Sequence, residues 1–290
     1  MKFIGPEAEA RLTWAGLMAA FEAGHRLPRA EINDLFLYRG ADTMLDRAAW
    51  ISGLGALVKV ATICPDNAHL GKPTVNGVVN LFDDKTGELT ALVDFHLVTK
   101  WKTAGDSLLA ASRLARRDAR KFLLVGAGTV AASMVGAYRS IWPDAEFTVW
   151  SRSGTPLMGL PVAADLETAV RGADVICTAT MAKKPLIRGD WLQPGQHLDL
   201  IGAYTPHMRE VDDVAMSRAR VFVDARATTV HHIGEIMEPL KSGALTQIVA
   251  DFYDDPALFT RHSDHEITIA KNGGGAHLDL MTANYIASQG

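Results

Sequence analysis

The chain has 290 residues, of which 48% are hydrophobic and 21% are charged, and its formal net charge is −4. This composition excludes a disordered tail, a collagen-like repeat and a small disulfide-stabilised domain. The charge balance also argues against a nucleic-acid partner, because proteins that bind phosphate backbones usually carry a strong basic excess. The two cysteines, Cys64 and Cys177, stand apart in apolar runs, which is typical of a reducing compartment. No apolar run approaches the ~18 residues that a membrane-spanning helix needs, so we expect a soluble cytoplasmic protein with no membrane partner.

The first part of the chain predicts two helices and three strands. The helices place apolar residues at a period of about 3.6, and the strands are β-branched or flank a turn composition. In chain order these segments are a helix from Pro6 to Gly24, strands at Leu57–Ile63, Val75–Phe82 and Leu89–Phe95, and a helix from Thr103 to Leu114. Between the first helix and the first strand, turn-forming residues interrupt the apolar positions, and no regular element is predicted there.

The middle of the chain alternates short apolar strands with helices. The predicted strands are Phe122–Val125, Phe147–Trp150, Val175–Thr178, His197–Ile201 and Val221–Val223, with helices at Val130–Ser140 and Asp165–Gly172. Such alternation is typical of βαβ units, so the sequence predicts an α/β fold with a Rossmann-type, doubly wound parallel sheet. A glycine run at Gly273–Gly275 then precedes a helix-like segment from Leu278 to Ile286.

A glycine-rich turn follows the first of these strands. The residues Val125–Ala131 have the pattern G-x-G-x-x-A between a predicted strand and a predicted helix. Gly126 permits a tight turn, Gly128 lets the backbone approach a pyrophosphate, and the helix N-terminus offers free N–H groups to the phosphates. The pattern therefore predicts dinucleotide binding, and the alternative is a glycine turn that binds nothing. The predicted contacts are Gly126, Ala127, Gly128, Thr129 and Val130.

The second strand of this unit ends without the acidic residue that usually binds the ribose 2′-hydroxyl of NAD. Ser151, Arg152 and Ser153 stand there instead. A guanidinium and hydroxyls can bind a 2′-phosphate through charge-assisted hydrogen bonds, whereas a carboxylate would repel it. We therefore expect NADPH to be preferred and NADH to be accepted, and the alternative for Arg152 is a solvated loop cation. Further candidates for contact with the cofactor are Thr178, Thr180, Gly202 and Asn272.

Several short motifs occur in an order and spacing that are specific when taken together. They are Gly55–Lys59, Pro65–Asn67, Gly71–Gly77, Leu81–Asp83, Thr86-Gly87, Thr103–Ser107, the glycine turn and Asp279-Leu280. Through them the chain resembles the ornithine cyclodeaminase/mu-crystallin family along most of its length. The resemblance implies a homodimer, an α+β substrate and dimerisation domain over residues 1–112 and 275–290, and an NAD(P)-binding Rossmann domain over residues 113–274. It also implies hydride transfer between a nicotinamide and an amino or imino acid in a cleft between the domains.

Two lysines match substrate-binding positions of the family. Lys59 matches its active-site lysine, and Lys102 stands where the family has a carboxylate-binding arginine. Lysine holds a carboxylate as a point charge rather than through a bidentate fork, so we expect the carboxylate geometry to differ here. The alternative for Lys59 is a place on an exposed strand face. Further substrate-binding candidates are Arg29, Asn67 and Gly275, with Arg39 as the alternative to Arg29.

One position separates activities within the family. Its cyclodeaminases carry an aspartate after the Val-Gly pair of a later Rossmann strand, and here Tyr204 takes that place after Ile201-Gly202. A phenol is a poor base at neutral pH, although it can donate a hydrogen bond or relay a proton. This substitution argues against ammonia loss from ornithine and favours reduction of a C=N bond, with packing as the alternative role for Tyr204.

We therefore predict an NADPH-dependent reductase of a cyclic imino acid, converting Δ1-pyrroline-2-carboxylate to L-proline and, by the same chemistry, Δ1-piperideine-2-carboxylate to L-pipecolate. Lys59 and Lys102 would orient the carboxylate while hydride reaches the imine carbon, and water, Tyr204 or Lys59 would supply the proton. The alternatives are ornithine cyclodeaminase, an alanine or opine-type dehydrogenase, and a non-catalytic NADPH-binding protein. No metal site is expected, because adjacent residues such as His231 and His232 rarely converge on one ion.

Overall fold

The computed structural model describes residues 1–290. The chain divides into two compact units, a first unit formed by Met1–Lys102 and Gly274–Gly290 and a second unit formed by Thr103–Gly273. Each unit contains a sheet of six strands. None of the helices combines the length and the hydropathy that crossing a bilayer would require.

Strands predominate at the start of the chain, and strands and helices alternate after it. The elements up to residue 114 are β1 (Lys2–Ile4), α1 (Trp14–His25), β2 (Glu31–Arg39), β3 (Asp42–Ile51), β4 (Gly55–Ile63), β5 (Val75–Phe82), β6 (Leu89–Asp94) and α2 (Phe95–Leu114). Those that follow are β7 (Lys121–Val125), α3 (Thr129–Arg139), β8 (Glu146–Trp150), α4 (Leu166–Gly172), β9 (Val175–Thr178), β10 (His197–Leu200), α5 (Asp213–Arg218), β11 (Ala219–Val223), α6 (Arg226–Thr229), α7 (Gly234–Ser242), β12 (Ile267–Lys271) and α8 (Ala276–Ser288). Short 3₁₀ helices lie at Pro6–Arg11, Pro65–Leu70 and Gly189–Trp191.

The sheet of the first unit has the strand order β1-β6-β5-β4-β3-β2 and is antiparallel except for β1, which pairs with β6 in parallel. Side chains alternate between its two faces, as the pleat requires. On β4 the buried positions are Gly55, Leu57, Lys59 and Ala61, while the residues between them are only partly covered. Helix α8 packs on β2 to β6 and on α1, and its Asp279 contacts Lys59. The buried face of this sheet is therefore the face that α8 covers.

The opposite face of the same sheet carries large apolar side chains that are exposed. Register places Leu35, Leu37, Met44 and Trp50 on this face, and each is at least 38% exposed. A groove of about 520 Å³ runs along it, with Ala48, Trp50, Ala56, Val58 and Phe82 among its lining residues. We call this surface the outer face. An apolar surface of this kind is typical of a site of contact with another molecule.

The sheet of the second unit is entirely parallel, with the strand order β11-β12-β10-β9-β7-β8. Strands β8 and β9 pair on opposite sides of β7, so the chain changes direction across the sheet at β7. Ligands of doubly wound sheets bind at the carboxyl edge beside such a switch point. The glycine turn after β7 lies at this edge. The α/β fold with a doubly wound parallel sheet, predicted from the alternation of elements, is confirmed.

The structure corrects three expectations for the chain before residue 115, two of them about predicted helices. The stretch without a predicted element forms the β2–β3 hairpin, in which Gly40 has φ +59° in a two-residue turn. Both faces of β2 carry apolar residues, which hides the alternation that identifies a strand. The first predicted helix divides into a 3₁₀ turn and α1, because Thr13 caps α1 by accepting from Gly16 N at 3.1 Å. Helix α2 begins at Phe95 rather than Thr103, where Asp94 Oδ1 accepts from Leu97 N at 2.7 Å.

Strand β12 is the main element of the second unit that the sequence analysis does not predict. It lies in the interior of the sheet, between β10 and β11. Its five residues, Ile267–Lys271, are too few for a period to be evident, and they end in a lysine. Its partners lie far along the chain, since Leu198 pairs with Ile269. Pairing with two distant strands therefore determines this element. The short helices α5 and α6 are likewise not predicted.

Candidate active site

Strand register brings charged residues together on the buried face of the first unit. Asp34 on β2 lies opposite Arg47 on β3, and Arg47 lies opposite Lys59 on β4. Residues that are opposite one another in antiparallel strands share a face, so the three side chains form a row. Arg47 Nη2 donates to Asp34 Oδ2 at 2.8 Å and Nε donates to Oδ1 at 3.1 Å, while Nη1 donates to the Gly274 carbonyl at 2.8 Å. The guanidinium of Arg47 is thus committed to protein groups.

Lys59 is held in a defined position although only 5% of the residue is exposed. Its Nζ donates to Asp279 Oδ1 at 2.8 Å and to Thr99 Oγ1 at 2.8 Å. The Thr99 hydroxyl in turn donates to the Phe95 carbonyl at 2.8 Å, which leaves its oxygen free to accept from Lys59. The ring of Phe95 lies 4.8 Å from the ammonium. These contacts confine the ammonium to one location.

The electrostatic surroundings shift the titration of both partners. Burial lowers the pKa of Lys59 to about 8, because desolvation disfavours the ammonium; Asp279 opposes this shift, and Lys102 and Arg47 reinforce it. Burial by itself would raise the pKa of the Asp279 carboxyl, but Lys59, Lys102 and Arg47 together hold that pKa below its usual value. Asp279 is therefore ionised at neutral pH, and the Lys59 ammonium can release a proton close to neutrality.

Lys102 completes this cluster from helix α2. It is 7% exposed and lies close enough to lower the pKa of both Lys59 and Asp279. Unlike Lys59, it has no hydrogen-bonded or ion-paired partner in the chain. A largely buried ammonium without a partner is unfavourable, so such a residue is typical of a site that binds an anion.

The other predicted substrate residues lie at separate places in the first unit. Arg29 is exposed and precedes β2, and Arg39 pairs with Asp42 at 2.8 Å beside the hairpin turn, where its side chain is 87% exposed. Asn67 donates from Nδ2 to the Pro73 carbonyl at 2.9 Å, and Gly275 precedes the first residue of α8. The cation next to Lys59 in the sheet is Arg47, which the sequence analysis misses. Only the pairing of β3 with β4 identifies it.

The glycine turn of the second unit has a shape suited to a phosphate group. Gly126 has φ +117°, and a Cβ there would lie 2.5 Å from the Ala179 carbonyl oxygen, so another residue would not fit. Gly128 is the N-cap of α3, and a Cβ on it would meet no atom within 4 Å. Open space therefore stands before the N-terminus of an 11-residue helix, where backbone N–H groups bind anions. These residues fit the pyrophosphate of a dinucleotide.

The loop after β8 presents hydroxyls and one cation. Ser151 Oγ accepts from Thr155 N at 2.8 Å, and the hydroxyls of Ser153 and Thr155 are 2.7 Å apart. Gly154, with φ +64°, closes the turn, and Arg152 is exposed on it. The residues from 151 to 155 include no carboxylate. Thr155 is an additional hydroxyl that the sequence analysis does not name, and this loop has the composition that suits a phosphate ester.

A buried carboxylate organises the loops after β9 and β10. Glu210 accepts from Thr178 Oγ1 at 2.8 Å, from Thr180 N at 2.9 Å and Oγ1 at 2.7 Å, and from Gly202 N at 2.8 Å. A Cβ on Gly202 would lie 2.1 Å from the Thr180 carbonyl oxygen, so the two loops pack closely. The hydroxyls of Thr178 and Thr180 therefore donate to a protein carboxylate. Glu210, the residue that accepts these hydrogen bonds, is not among the residues singled out from the sequence. Asn272 Nδ2 similarly donates to the Thr103 carbonyl at 3.0 Å.

A second buried glutamate supports Glu210 and makes stability depend on pH. Glu235 accepts from Glu210 N at 2.6 Å and from Val211 N at 3.2 Å. Burial, followed by the charge of Glu210, raises the pKa of Glu235 from 4.5 to about 7, and Lys271 opposes the shift. Between these two values the unfolded chain is ionised while the folded protein keeps its proton, so stability falls as the pH rises through this window.

We expect the Glu235→Gln variant to gain stability relative to the wild type as the pH rises. The difference in free energy of unfolding between variant and wild type should move in favour of the variant by up to about 3 kcal/mol from about pH 5 to about pH 8. Urea unfolding at several pH values measures it. The lost hydrogen bond to the backbone is the same at each pH, so a pH-independent difference would contradict the prediction.

The remaining candidates lie in exposed loops. Tyr204 follows β10 and is 60% exposed. His231 and His232 are both exposed in the turn before α7. The chain contains no group of three or more histidine, cysteine, aspartate or glutamate side chains that could hold a metal ion.

Comparison with known proteins places the chain in a family. The family model described as "Ornithine cyclodeaminase/mu-crystallin family" matches residues 52–289. The chain belongs to this family. A curated member of similar sequence is the Delta(1)-pyrroline-2-carboxylate reductase of Paracoccus denitrificans, which is 48% identical over 297 residues, covering 97% of this chain and 94% of the relative. The family resemblance found in the sequence is therefore confirmed.

Solved structures of other proteins share the fold of this chain. The Thermococcus litoralis Delta(1)-pyrroline-2-carboxylate reductase, in complex with NADH and L-proline, superposes with a TM-score of 0.88 at 22% identity and covers 100% of this chain and 97% of its own. An archaeal alanine dehydrogenase dimer with bound NAD superposes with a TM-score of 0.86 at 26% identity and covers 99% of this chain and 95% of its own. The first comparison shows a common fold over the whole chain.

Proposed function

We propose that this protein reduces Δ1-pyrroline-2-carboxylate to L-proline and prefers NADPH. The chain is an oxidoreductase that acts on C=N bonds with a nicotinamide cofactor, the class of its 48% identical relative. The proposal of this particular substrate rests on one observation: Lys102 is buried, has no partner in the chain and lies beside Lys59, which is fixed in place. The composition of the loop at Arg152 supports the preference for NADPH.

The charges of the first unit favour a substrate with one carboxylate. Lys59 is paired with Asp279, and Arg47 is paired with Asp34. Lys102 is then the one cation of the cluster that lacks an anionic partner. A cyclic imino acid such as Δ1-pyrroline-2-carboxylate carries a single carboxylate, whereas the second charge of a dicarboxylate would be desolvated without a partner. By the same reasoning the six-membered Δ1-piperideine-2-carboxylate, which also has one carboxylate, is a second substrate.

The residues of this chain would contribute binding, orientation and a proton. When bound, the nicotinamide cofactor supplies the hydride that reduces the imine carbon. Lys102 would hold the substrate carboxylate, and Lys59 would lie next to the ring nitrogen. Orientation of this kind accounts for much of the rate of a two-reactant step. Because the substrate is already cyclic, no base is needed to expel ammonia, which agrees with Tyr204 at the position of the cyclodeaminase aspartate.

The activity is tested by following the near-ultraviolet absorbance of NADPH with Δ1-pyrroline-2-carboxylate, and by detecting L-proline chromatographically. We expect consumption of NADPH that depends on the imine, with slower turnover of NADH. The same protein should release no ammonia from ornithine and should not consume NADPH with pyruvate and an amine. Absence of any imine-dependent oxidation would refute the proposal, and cofactor binding without turnover would favour a non-catalytic binding protein.

We also propose that the protein forms a homodimer through the outer face of the first unit. This face exposes Leu35, Leu37 and Trp50 by 55%, 52% and 53%, which is unfavourable in water. The alanine dehydrogenase of the same fold and 26% identity is described as a dimer. A second copy of this chain is therefore the occupant that we infer.

Leu37→Glu is expected to convert the dimer to a monomer. The carboxylate would be buried against an apolar partner surface, and this is far more unfavourable than its exposure in the monomer. Light scattering should show the mass falling from twice 31.3 kDa to 31.3 kDa. Leu258→Glu is the matched control, because Leu258 is 51% exposed in the second unit. A wild-type protein that is already monomeric would contradict the proposal.

A further inference from the structure

The hydrogen bonds of Lys59 leave one donor unassigned. An ammonium group has three N–H donors in a tetrahedral arrangement. Two of them are directed at Asp279 Oδ1 and Thr99 Oγ1, each at 2.8 Å. Because two directions of a tetrahedral group determine the others, the third N–H has a definite direction as well. Lys59 is thus not a mobile cation but a donor with a fixed orientation.

Asp279 is well placed to impose this orientation. It lies in the first turn of α8, and no part of it is exposed. A carboxylate in the first turn is stabilised by the partial positive charge of the helix N-terminus. Its second oxygen, Oδ2, has no hydrogen-bond partner in the protein. A buried carboxylate with an unsatisfied oxygen is unfavourable for stability, so a functional reason is expected for its presence.

We propose that Asp279 is a positioning residue of the reaction, which together with Thr99 aims the third N–H of Lys59 at the ring nitrogen of the bound imine. This inference rests on the proposed function. It selects Lys59 as the proton donor among the three candidates that the sequence leaves open, namely Lys59, Tyr204 and water. Asp279 acts through Lys59 and does not touch the substrate.

The chemical step balances with the groups named. Hydride forms a new C–H bond at the imine carbon, the π-electron pair of the C=N bond moves to nitrogen, and nitrogen takes the proton from Lys59 Nζ. The imine is reduced to a secondary amine while the nicotinamide is oxidised. Lys59, left as a neutral amine beside ionised Asp279, regains a proton from water. The net reaction consumes one imine, one reduced nicotinamide and one proton.

The charged groups around Lys59 determine how it titrates. From β3 it faces Arg47, which is paired with Asp34; from α2 it faces Lys102; and from α8 it faces Asp279. His277 on α8 lies near Asp279, Lys102 and His25 of α1, and burial keeps the pKa of His277 well below its usual value, so that it stays neutral. Asp279 is therefore the group whose negative charge favours the ammonium form of Lys59.

The Asp279→Asn variant tests this role, because it keeps the shape of the side chain and removes its charge. The pKa of Lys59 is measured by NMR titration of ¹³C-labelled lysine, with the signal assigned through Lys59→Arg. We expect a decrease of about one to three units in the variant, since an opposite charge at hydrogen-bond distance has effects of this size. The alkaline fall of kcat with Δ1-pyrroline-2-carboxylate should move to lower pH in parallel. At neutral pH, kcat should fall about tenfold or more, while KM should not rise because Lys102 keeps its charge.

Two further variants separate positioning from a merely structural role. In a Lys59→Met background, Asp279→Asn should cause no additional loss of kcat, because the residue it positions is gone. Asp174→Asn removes the partner of Arg116, 2.7 Å away in the second unit, and should leave both the pKa of Lys59 and the pH profile unchanged. If Asp279→Asn does not fold, Thr99→Val removes the other acceptor of Lys59 and should lower kcat without raising KM.

The outcomes distinguish this inference from the proposed function. A wild-type protein that does not reduce the imine refutes the function and the protonation step together, whereas the NMR titration still reports the coupling of Lys59 to Asp279. An active wild type whose Lys59 pKa and alkaline limb are unchanged in Asp279→Asn overturns the role of Asp279. Additive losses in the double variant would overturn it as well.

Discussion

Lys102→Met is expected to raise the KM for Δ1-pyrroline-2-carboxylate by about two orders of magnitude. A charge-assisted hydrogen bond to a desolvated carboxylate contributes about 2–3 kcal/mol, which corresponds to a factor of this size. Methionine keeps the length and the apolar contacts of the side chain, so that the fold should be retained. The effect should appear mainly in KM, because the interaction is made to the carboxylate in both the ground state and the transition state.

Steady-state kinetics with varied imine concentration measure this effect, and two variants serve as controls. Lys102→Arg should retain or improve binding, since a guanidinium can hold a carboxylate with two hydrogen bonds. Lys100→Met, two residues earlier on the same helix, removes a surface cation that pairs with Glu9 at 2.6 Å and should change KM by less than about threefold. Equal effects of Lys102→Met and Lys100→Met would show that general electrostatic attraction, not a specific contact, binds the substrate.

Arg152→Ala is expected to lower kcat/KM for NADPH by about 30- to 100-fold and to leave kcat/KM for NADH within about threefold. Arg152 lies in a loop that carries the hydroxyls of Ser151, Ser153 and Thr155 and no carboxylate. In the variant, a 2′-phosphate bound there would lose Arg152, the only cation of this loop, as its partner. The 2′-hydroxyl of NADH is uncharged and forms no ion pair with Arg152, so the variant should weaken the use of NADPH more than the use of NADH.

The complementary change at the same loop should reverse the preference. On the proposed cofactor binding, Ser151→Asp would introduce a carboxylate near the ribose, where it would repel a 2′-phosphate and could accept a hydrogen bond from a 2′-hydroxyl. Arg171→Ala is the control, because Arg171 is a half-exposed arginine paired with Glu167 at 2.7 Å on α4. It should leave the ratio of the two cofactors unchanged. Parallel losses for NADPH and NADH in Arg152→Ala would refute a 2′-phosphate contact and indicate a contact shared by both cofactors.

The effects of Lys102→Met and Arg152→Ala should be additive in free energy. Lys102 belongs to the first unit and Arg152 to the second, and the two residues share no partner. Independent sites of this kind usually combine within about 0.5 kcal/mol. The double variant should therefore show a raised KM for the imine and a weakened use of NADPH, each as large as in the single variants.

Much of the second unit follows from local sequence. The turn after β7 requires glycine at Gly126 for its conformation, and the strand and helix beside it are short elements with clear apolar patterns, so that both the motif and its geometry can be predicted. The composition of the loop after β8 is likewise a property of five consecutive residues. Alternation of strands and helices predicts the parallel sheet, because short connections between such elements admit few topologies.

Other elements depend on partners that lie far along the chain. The β2–β3 hairpin and β12 have weak patterns of their own, and pairing stabilises them. No sequence motif distinguishes Glu210 from the other acidic residues. In the structure it accepts hydrogen bonds from backbone N–H groups of the loops after β9 and β10, at the carboxyl edge of the sheet. No local pattern identifies such a residue, because its neighbours in space are assembled by the sheet.

Local sequence patterns were enough to predict the glycine turn, the doubly wound sheet and the two lysines of the first unit as candidate residues. The groups that surround Lys59 depend on the three-dimensional fold: strand register placed Arg47 beside Lys59, and the packing of α8 brought Asp279 to Lys59 across 220 residues. Glycine turns and helix caps result from short-range backbone geometry, which a few residues encode. A buried ion pair depends instead on the register of a sheet and the packing of a helix on it, and both arise from many weak contacts summed over the whole unit.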